Sequence, residues 1–426
     1  MTAPSSEVEA ALSRLARTDG SRVVSLLARH LSDLDLADDA VQDALLEAVQ
    51  TWPDRGVPHN PAGWLLTVAR RKAIDRIRRT RSARQRTLAA APELLAYEQG
   101  PEEGTELMNL DQSDVDDDQL RLILLCCHPA LDLDAQVALT LRLVGGLTTA
   151  EIASAYLLPE STMAQRVVRA KRKIREARIP LTLPSAFEER VATVLRVLYL
   201  VFNEGYLASG ADEQLVRVDL VDEAVRLTGL VVDLLPGSAE AKGLLALELF
   251  SRARMASRVD VDGELVLLED QDRSSWDRRQ VQRANEVLRD AVRLGSVGPF
   301  QLQAMIAGQH ANAPTAADTD WPAIVTLYGL LAQRTDSAVV RLNRAVAVAM
   351  ADGPRAGLTL LDAISELDDY HLLHAARGEL LLLAGRPEAA LASFVRAREL
   401  VNHPLERRHL DRRVERARTA LAPGGA

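Results

Sequence analysis

The lysine and arginine side chains of this chain are concentrated in two short stretches. Residues 61–90 contain nine bases and one acid, and residues 160–178 contain seven bases and two acids. Between these stretches, residues 91–120 carry ten acids and no base. Clustered cations neutralise the phosphates of nucleic acids and gain affinity by releasing counterions. The distribution therefore indicates nucleic-acid binding despite a net charge of −9; solvated helix faces are the alternative.

The first basic stretch predicts an amphipathic helix. Apolar residues recur at spacings of three and four, at Leu66, Ala69 or Arg70, Ala73, Ile74 and Ile77. The opposite face then carries Arg71, Lys72, Asp75, Arg78 and Arg79. Trp52 and Trp64 flank a break rich in proline and glycine at residues 51–61. An aromatic ring there can stack on an unpaired base, worth roughly 1–3 kcal/mol, or anchor the core.

An acidic helix is predicted just upstream, over residues 36–49. Four polar residues lie on or near one of its sides, namely Asp38, Asp39, Gln42 and Asp43. Such a side is either solvated or a docking face for a basic partner.

The second basic stretch predicts a helix-turn-helix. Thr148 and Glu151 have the spacing of a capping box at the start of a short helix that ends near Pro159. Ser161 or Thr162 can cap the second helix, whose inward face is formed by Met163, Val167, Ala170 and Ile174. Its outer side carries Thr162, Gln165, Arg166, Arg169, Arg172 and Lys173. Glutamine and arginine suit base edges in the major groove, and the later cations suit phosphates.

The sequence as a whole predicts an all-α protein of several domains, because helical periodicity extends over nearly all of its 426 residues. We predict a first module over residues 1–90, an acidic flexible linker over 91–118, a helix-turn-helix module over 119–180 and a large helical domain over 181–420. Adjacent Cys126 and Cys127 are the only cysteines and suit neither a disulfide framework nor a zinc site. With no secretory signal or apolar run long enough to span a bilayer, these features favour the cytoplasm.

The large helical domain contains an internal repeat. Six positions recur 33 residues later: Pro354, Ala356, Gly357, Leu358, Leu361 and Ile364 correspond to Pro387, Ala389, Ala390, Leu391, Phe394 and Ala397. Ala345 corresponds to Gly378 in the same register. A period near 34, with small residues where helices cross, is typical of tetratricopeptide (TPR) repeats.

Together these motifs resemble an extracytoplasmic-function (ECF) sigma factor of bacterial RNA polymerase over roughly residues 7–178. Region two is similar to DDAVQDALLEAV followed by NPAGWLLTVARRKAIDRIRR, and region four to LTTAEIASAYLLPESTMAQRVVRAKRKI. Residues 181 onward resemble the subgroup with a C-terminal TPR-like domain, in segments such as VFNEGYLASG and DTDWPAIVTLY. The family usually has glycines where this chain has Leu157 and Ser161 in the turn.

The resemblance implies a polymerase core partner, through its β′ and β subunits, and double- and single-stranded promoter DNA. Docking on the β′ coiled coil falls to Asp38, Asp39, Gln42 and Asp43. Binding and melting of the −10 element falls to Trp52, Asn60, Trp64, Arg70, Arg71, Lys72, Arg78 and Arg79. Reading of the −35 element falls to Ser161, Thr162, Gln165, Arg166, Arg169, Arg172 and Lys173. The acidic linker would run toward the RNA exit channel, and the TPR-like domain would be regulatory and bind a protein partner.

Neither a metal, a cofactor, a membrane nor catalysis is predicted. The acidic stretch at residues 260–272 does not meet the spacing of a calcium loop. His310, His371 and His374 have no base–nucleophile pattern around them. The alternatives are a helix-turn-helix regulator fused to a TPR scaffold, and a hydrolase in the C-terminal half. Only a sigma factor needs a polymerase-docking helix beside a basic, tryptophan-bearing helix.

Overall fold

The structure, a computed structural model, describes residues 6–31, 33–84, 112–156, 158–179, 187–206, 218–261, 263–401 and 403–421. These residues are helical almost throughout, which confirms the all-α prediction; their one extended pairing is an isolated antiparallel bridge between Val259 and Leu265. Within the described ranges, every helix is too short or too polar to cross a membrane. The chain divides into two compact units, Met1–Leu200 and Val201–Ala426.

The helices of the first unit form two sequential groups. The first group comprises α1 (Ser6–Arg14), α2 (Gly20–Leu31), α3 (Leu34–Arg55) and α4 (Pro61–Arg84). The second comprises α5 (Gln112–Cys126), α6 (Leu133–Leu139), α7 (Thr149–Ala155) and α8 (Glu160–Glu176), and α9 (Phe187–Tyr206) follows. Single π-helical turns follow α1 and α6, at Leu15–Asp19 and Thr140–Val144.

Helix α3 is longer than the sequence indicates. Asp33 caps its start by accepting a hydrogen bond from the Leu36 amide at 3.0 Å. The helix continues through Pro53, so the predicted break at 51–61 narrows to residues 56–60. Gly56 ends it at φ 80°, a backbone conformation that favours glycine, and its N–H donates to the Trp52 carbonyl at 2.9 Å.

The predicted core face of α4 is confirmed. Leu66, Ala69 and Ala73 are buried, as are Leu65 and Val68 beside them. Ile74 and Ile77 are half-buried. This face holds α4 against α3 and leaves the basic side of the helix toward solvent.

Helix α5 begins at Gln112, within the stretch predicted as a linker up to residue 118. Its sequence there, QSDVDDDQL, is acidic, and acids are favourable near a helix N-terminus because of the helix dipole. Helix α5 therefore occupies the last part of the predicted linker, up to residue 118, and the earlier part of that linker lies outside the described residues. Ser32, Leu157 and residues 85–111 also lie outside the described part of the chain.

The second unit is a succession of helices. Its first half contains α10 (Val218–Leu234), α11 (Ala239–Ala253), α12 (Arg278–Arg293), α13 (Pro299–Asn312) and α14 (Trp321–Ala332). Its second half contains α15 (Ala338–Asp352), α16 (Pro354–Asp362), α17 (His371–Leu383), α18 (Pro387–Leu400) and α19 (Pro404–Leu421).

The 33-residue repeat corresponds to two successive helical hairpins, α15–α16 and α17–α18. Pro354 and Pro387 each begin the second helix of a hairpin. Leu361 and Phe394, which correspond in the repeat, are both fully buried in one apolar core. A Cβ at Gly378 would lie 2.6 Å from the Phe394 ring, which explains the small residue at the helix crossing. The assignment of these hairpins to the TPR class stays a prediction.

A carboxyl group is buried in the first half of this unit. Glu248 on α11 is fully buried and accepts a hydrogen bond from the Thr228 hydroxyl at 3.0 Å. Burial raises the pKa of Glu248 well above its usual range, although the bond from Thr228 opposes the shift. Burial therefore favours the neutral form of the Glu248 carboxyl group.

Candidate nucleic-acid interface

The helix-turn-helix forms as predicted. The Thr148 amide donates to Glu151 Oε2 at 2.6 Å, and the Glu151 amide donates to Thr148 Oγ1 at 3.1 Å, which completes the capping box at the start of α7. The four inward residues of α8 are all buried: Met163, Val167, Ala170 and Ile174. Helix α8 is thereby fixed against the module, with one side left for a ligand.

The predicted cap of α8 is wrong. The helix begins at Glu160, so Ser161 and Thr162 lie inside its first turn. Pro159 is extended, at φ −58° and ψ 139°, and its carbonyl accepts from the Thr162 amide at 2.9 Å. The backbone of Pro159 thus starts the helix without a side-chain cap, which leaves the hydroxyls of Ser161 and Thr162 at the leading end of α8.

Five of the seven residues predicted to read DNA are exposed on α8: Ser161, Gln165, Arg169, Arg172 and Lys173. The other two, Thr162 and Arg166, are half-buried. Arg166 pairs with Asp134 of α6 at 3.1 Å, and Arg172 pairs with Glu176 at 3.6 Å. The helix therefore presents cations and amide groups together, some of them held by acids that a phosphate could replace.

The start of α4 is set by Asn60. Its Oδ1 accepts a hydrogen bond from the Gly63 amide at 3.0 Å, and Pro61 occupies the first helical position. A Cβ on Gly63 would lie 2.6 Å from Asn60 Nδ2, so glycine permits this close cap. Asn60, predicted to contact DNA, also has this structural role.

The two tryptophans of the loop pack against each other. Their ring centroids are 5.3 Å apart and their planes make an angle of 66°. Trp52 is only 2% exposed and belongs to the core, whereas Trp64 is half-buried at the start of α4. Of the two rings, Trp64 is the more exposed.

The acids of α3 and the bases of α4 form a ladder of ion pairs. Arg76 pairs with Asp39 at 3.0 Å and with Asp43 at 3.9 Å. Glu47 pairs with Arg71 at 2.9 Å and with Lys72 at 2.6 Å, and the bond from Lys72 lowers the pKa of Glu47. Pairs this exposed contribute only about 0–1 kcal/mol each and exchange readily for other partners.

Asp39 and Asp43 were singled out from the sequence, but Glu47 and the pairing of these acids with α4 were not. Asp39, Asp43 and Glu47 follow one another at a spacing of four, which is the signal of a single helical stripe. Burial raises the pKa of Asp39 despite the nearby Arg76. Arg70 is half-buried and Arg78 exposed, while the side chain of Arg79 lies outside the described part of the chain.

Asp38 differs from its acidic neighbours because it is buried. It is 3% exposed; its Oδ1 accepts from Gln42 Nε2 at 3.4 Å and its Oδ2 from Lys171 Nζ at 2.5 Å. Lys171 belongs to α8, so this pair joins the two helical groups of the first unit. A second pair of the same kind joins Arg175 of α8 to Asp35 of α3. Lys171, Arg175 and Asp35 were not singled out from the sequence.

Helices α2 and α5 make a further contact between the two groups. The amide of Gln119 donates to Ser21 Oγ at 2.8 Å in a buried position. Arg29 pairs with Asp118 at 3.3 Å, and burial raises the pKa of Asp118. The two helical groups therefore meet through polar and charged side chains at two places.

Cys127 and His310 are two reactive side chains whose pKa values are shifted by burial. Among the described residues, no group of three His, Cys, Asp or Glu side chains could hold a metal ion. Burial raises the pKa of Cys127 to about 12 and disfavours its thiolate. Burial also lowers the pKa of His310 to about 4, so that it is neutral at pH 7. The exposed cations of α4 and α8 are therefore the features of the described residues of the first unit that suit a nucleic acid.

Comparison with known families matches three parts of the chain. Residues 15–83 match sigma-70 region 2, and residues 121–174 match sigma-70 region 4. Residues 190–292 match a family of unknown function, DUF6596. The first two matches correspond to the two helical groups of the first unit.

The curated proteins similar to this chain include an uncharacterised protein and sigma factors. An uncharacterised protein of Rhizobium meliloti (strain 1021) is 41% identical over 388 residues, 90% of either chain. The ECF RNA polymerase sigma factor SigK of Mycobacterium ulcerans (strain Agy99) is 30% identical over 158 residues, 36% of this chain and 79% of the relative. The probable ECF RNA polymerase sigma factor SigI of Mycobacterium tuberculosis (strain ATCC 25618 / H37Rv) is 29% identical over 177 residues, 42% of this chain and 58% of the relative.

Proposed function

This chain belongs to the ECF family of RNA polymerase sigma factors, and we propose that α3, α4 and α8 divide core binding, −10 binding and −35 binding among them. The observation that carries the proposal is the presence of two basic helices, α4 and α8. Each is held by a buried apolar face and has cations on its outer side. The match to region 2 disfavours a repressor fused to a scaffold.

Helix α8 is proposed to read the −35 element in the major groove. Its leading end carries Ser161, Thr162 and Gln165, which can donate to and accept from base edges. Arg166 and Arg169 follow one turn later, where arginine suits guanine or phosphate. Arg172 and Lys173 lie further along and would contact the DNA backbone.

Helix α4 and the loop before it are proposed to bind and open the −10 element. Its cations Arg70, Arg71, Lys72, Arg78 and Arg79 would follow the phosphates of the displaced strand. Trp64 is half-buried and packs edge-to-face with Trp52, and its exposed part would stack on an unpaired base. Trp52 would act by holding Trp64 in place.

The acidic stripe of α3 is proposed to bind the β′ coiled coil of the polymerase core. Asp39 and Asp43 are about half exposed, and their present partner is the surface residue Arg76. A basic partner can therefore compete for these acids at little cost. The β subunit would take part in positioning the helix-turn-helix module.

The second unit is proposed to regulate these interactions and to contribute no catalytic chemistry. Stacked helical hairpins form extended surfaces for protein partners, and this unit contains two hairpins in register. Deletion of residues 181–426 is the direct test, because a regulatory domain changes promoter output when it is removed. Unchanged output would contradict a regulatory role.

In vitro transcription with bacterial core polymerase tests the assignments of α4 and α8 separately. Replacement of Arg166 and Arg169 by alanine should reduce initiation and closed-complex formation together, since −35 recognition precedes melting. Trp64→Ala should preserve duplex binding and reduce permanganate reactivity of unpaired thymines at −10. Loss of duplex binding in Trp64→Ala would instead assign the ring to the core.

A further inference from the structure

Helix α12 in the second unit carries a concentration of exposed bases that the proposed function does not use. Its 16 residues contain five arginines and two acids, an excess of three positive charges. All seven side chains are exposed, and helical geometry places them on the side opposite the buried residues. We call this side the α12 face; its bases are Arg278, Arg279, Arg283, Arg289 and Arg293, and its acids are Glu286 and Asp290.

The opposite side of α12 fixes the helix in place. Three of its residues are buried, namely Val281, Ala284 and Ala291, and the first two share an apolar core with Trp276. Asp277 caps the start of the helix, since its Oδ1 accepts a hydrogen bond from the Arg279 amide at 3.0 Å. A rigid helix therefore presents the α12 face, and a ligand that binds there has little backbone to order.

The bases of the α12 face are largely unpaired. Elsewhere in the second unit, exposed arginines such as Arg396 and Arg408 pair with acids, at 3.2 Å from Asp369 and 3.1 Å from Glu264. Arg279, Arg283 and Arg289, in contrast, form no ion pair with any described residue. Their charges are therefore not neutralised by the part of the chain that the structure describes.

The two acids of the α12 face already have donors on the same helix. Asp290 pairs with Arg293 at 2.9 Å, and Glu286 accepts a hydrogen bond from the Gln282 amide at 3.1 Å. These contacts reduce the repulsion that an anionic ligand would meet. They also engage Gln282, which is the amide side chain among the arginines, so the α12 face offers charge rather than base-reading groups.

We propose that the α12 face binds phosphates of promoter DNA, as a third DNA contact of the chain beside α4 and α8. The proposal rests on the DNA binding proposed for the first unit, which brings duplex to the same chain at a high effective concentration. The planar guanidinium group of arginine suits phosphate oxygens, often with two hydrogen bonds. The contact adds affinity that depends on salt and leaves the choice of promoter to α4 and α8.

The salt dependence of promoter binding tests the proposal. In the test variant, Arg279, Arg283 and Arg289 are each replaced by glutamine, which keeps helix propensity and removes three charges. Fluorescence anisotropy of a labelled promoter duplex, with holoenzyme containing the full chain, gives the affinity at several salt concentrations. We expect the affinity at ~0.1 M salt to fall at least about tenfold, and the slope of log affinity against log salt concentration to fall by about 2–3. Unchanged affinity and slope overturn the proposal.

A control variant removes the same number of charges from other helices of the second unit. Its substitutions are Arg344→Gln, Arg355→Gln and Arg386→Gln, at exposed arginines that form no ion pair with any described residue. This variant should keep the wild-type affinity and salt slope, because its bases do not share one face. Equal losses in the two variants would show that the net charge of the second unit is what matters, and would overturn a contact at α12.

A photo-cross-linker in the α12 face identifies what the face contacts. A benzophenone side chain at Gln282 should label DNA in the holoenzyme–promoter complex, while the same group at Asn343, exposed on α15, should not. A cross-link from position 282 to a polymerase subunit, with an unchanged salt slope in the test variant, would assign the face to a protein partner and overturn the DNA contact. If the wild-type holoenzyme does not bind promoter duplex, the proposed function itself fails, and the role of α12 fails with it.

Discussion

Arg166 is held by an acid that DNA must displace, and this competition gives a quantitative prediction. The Arg166–Asp134 pair spans 3.1 Å, with side-chain exposures of 25% and 67%. Because Asp134 is largely in solvent, the pair contributes about 0–1 kcal/mol. Asp134→Asn removes the competing charge and keeps the shape of the side chain. The affinity of holoenzyme for promoter duplex should therefore rise, by up to about fivefold.

The salt dependence of binding identifies what Arg166 contacts. If Arg166 neutralises one phosphate, Arg166→Ala should reduce the slope of log affinity against log salt concentration by about 0.9. Fluorescence anisotropy of labelled duplex with holoenzyme, at several salt concentrations, measures both quantities. The gain from Asp134→Asn should shrink at high salt, as exposed pairs are screened.

The double variant supplies the control. In an Arg166→Ala background, Asp134→Asn has no base to release and should leave the affinity unchanged. A gain of the same size in that background would show that Asp134 acts by general repulsion of DNA. An unchanged salt slope in Arg166→Ala would refute the phosphate contact.

Three further predictions concern stability. Gly378→Ala should destabilise the second unit by about 1–3 kcal/mol in urea unfolding, since its Cβ would lie 2.6 Å from the Phe394 ring. Gly329→Ala, with open space around it, should be neutral or stabilising by up to about 1 kcal/mol. Equal effects of the two substitutions would contradict the close helix crossing at Gly378. Thr148→Ala should cost about 1 kcal/mol through loss of the α7 cap, and Glu151→Gln, which keeps an acceptor, should cost less; a neutral Thr148→Ala would contradict the capping box. Burial raises the pKa of Glu248 above its unfolded value of 4.5, so the folded state binds more protons and the free energy of unfolding should fall as pH rises above about 4.5. Glu248→Gln should remove this pH dependence. If the dependence persists in Glu248→Gln, it comes from other groups.

Local patterns predicted the elements that carry the candidate site. The 3–4 spacing of Met163, Val167, Ala170 and Ile174 predicted the buried face of α8, and all four residues are buried. The Thr148–Glu151 spacing predicted the capping box, which forms with both hydrogen bonds. These features depend on residues within one turn of each other, so the sequence contains all the information they need.

Contacts over long sequence separations could not be predicted in this way. Lys171 and Asp38 are 133 residues apart, and nothing in their local patterns connects them. Trp52 and Trp64 flank the same loop in equivalent contexts, and only packing shows that Trp52 is in the core. The start of α8 was misplaced because the helix begins on the extended backbone of Pro159, without the side-chain cap that the pattern predicted.

Run-off transcription with the predicted docking residues of α3 replaced tests the central claim most directly. Asp39→Asn, Gln42→Ala and Asp43→Asn together replace the more exposed docking residues of α3 and keep the buried Asp38 with its Lys171 partner. Promoter-specific initiation by added core polymerase should be lost, while the circular dichroism and unfolding transition of the chain stay unchanged. Initiation at wild-type levels from the same promoters would contradict the proposal that α3 binds the polymerase.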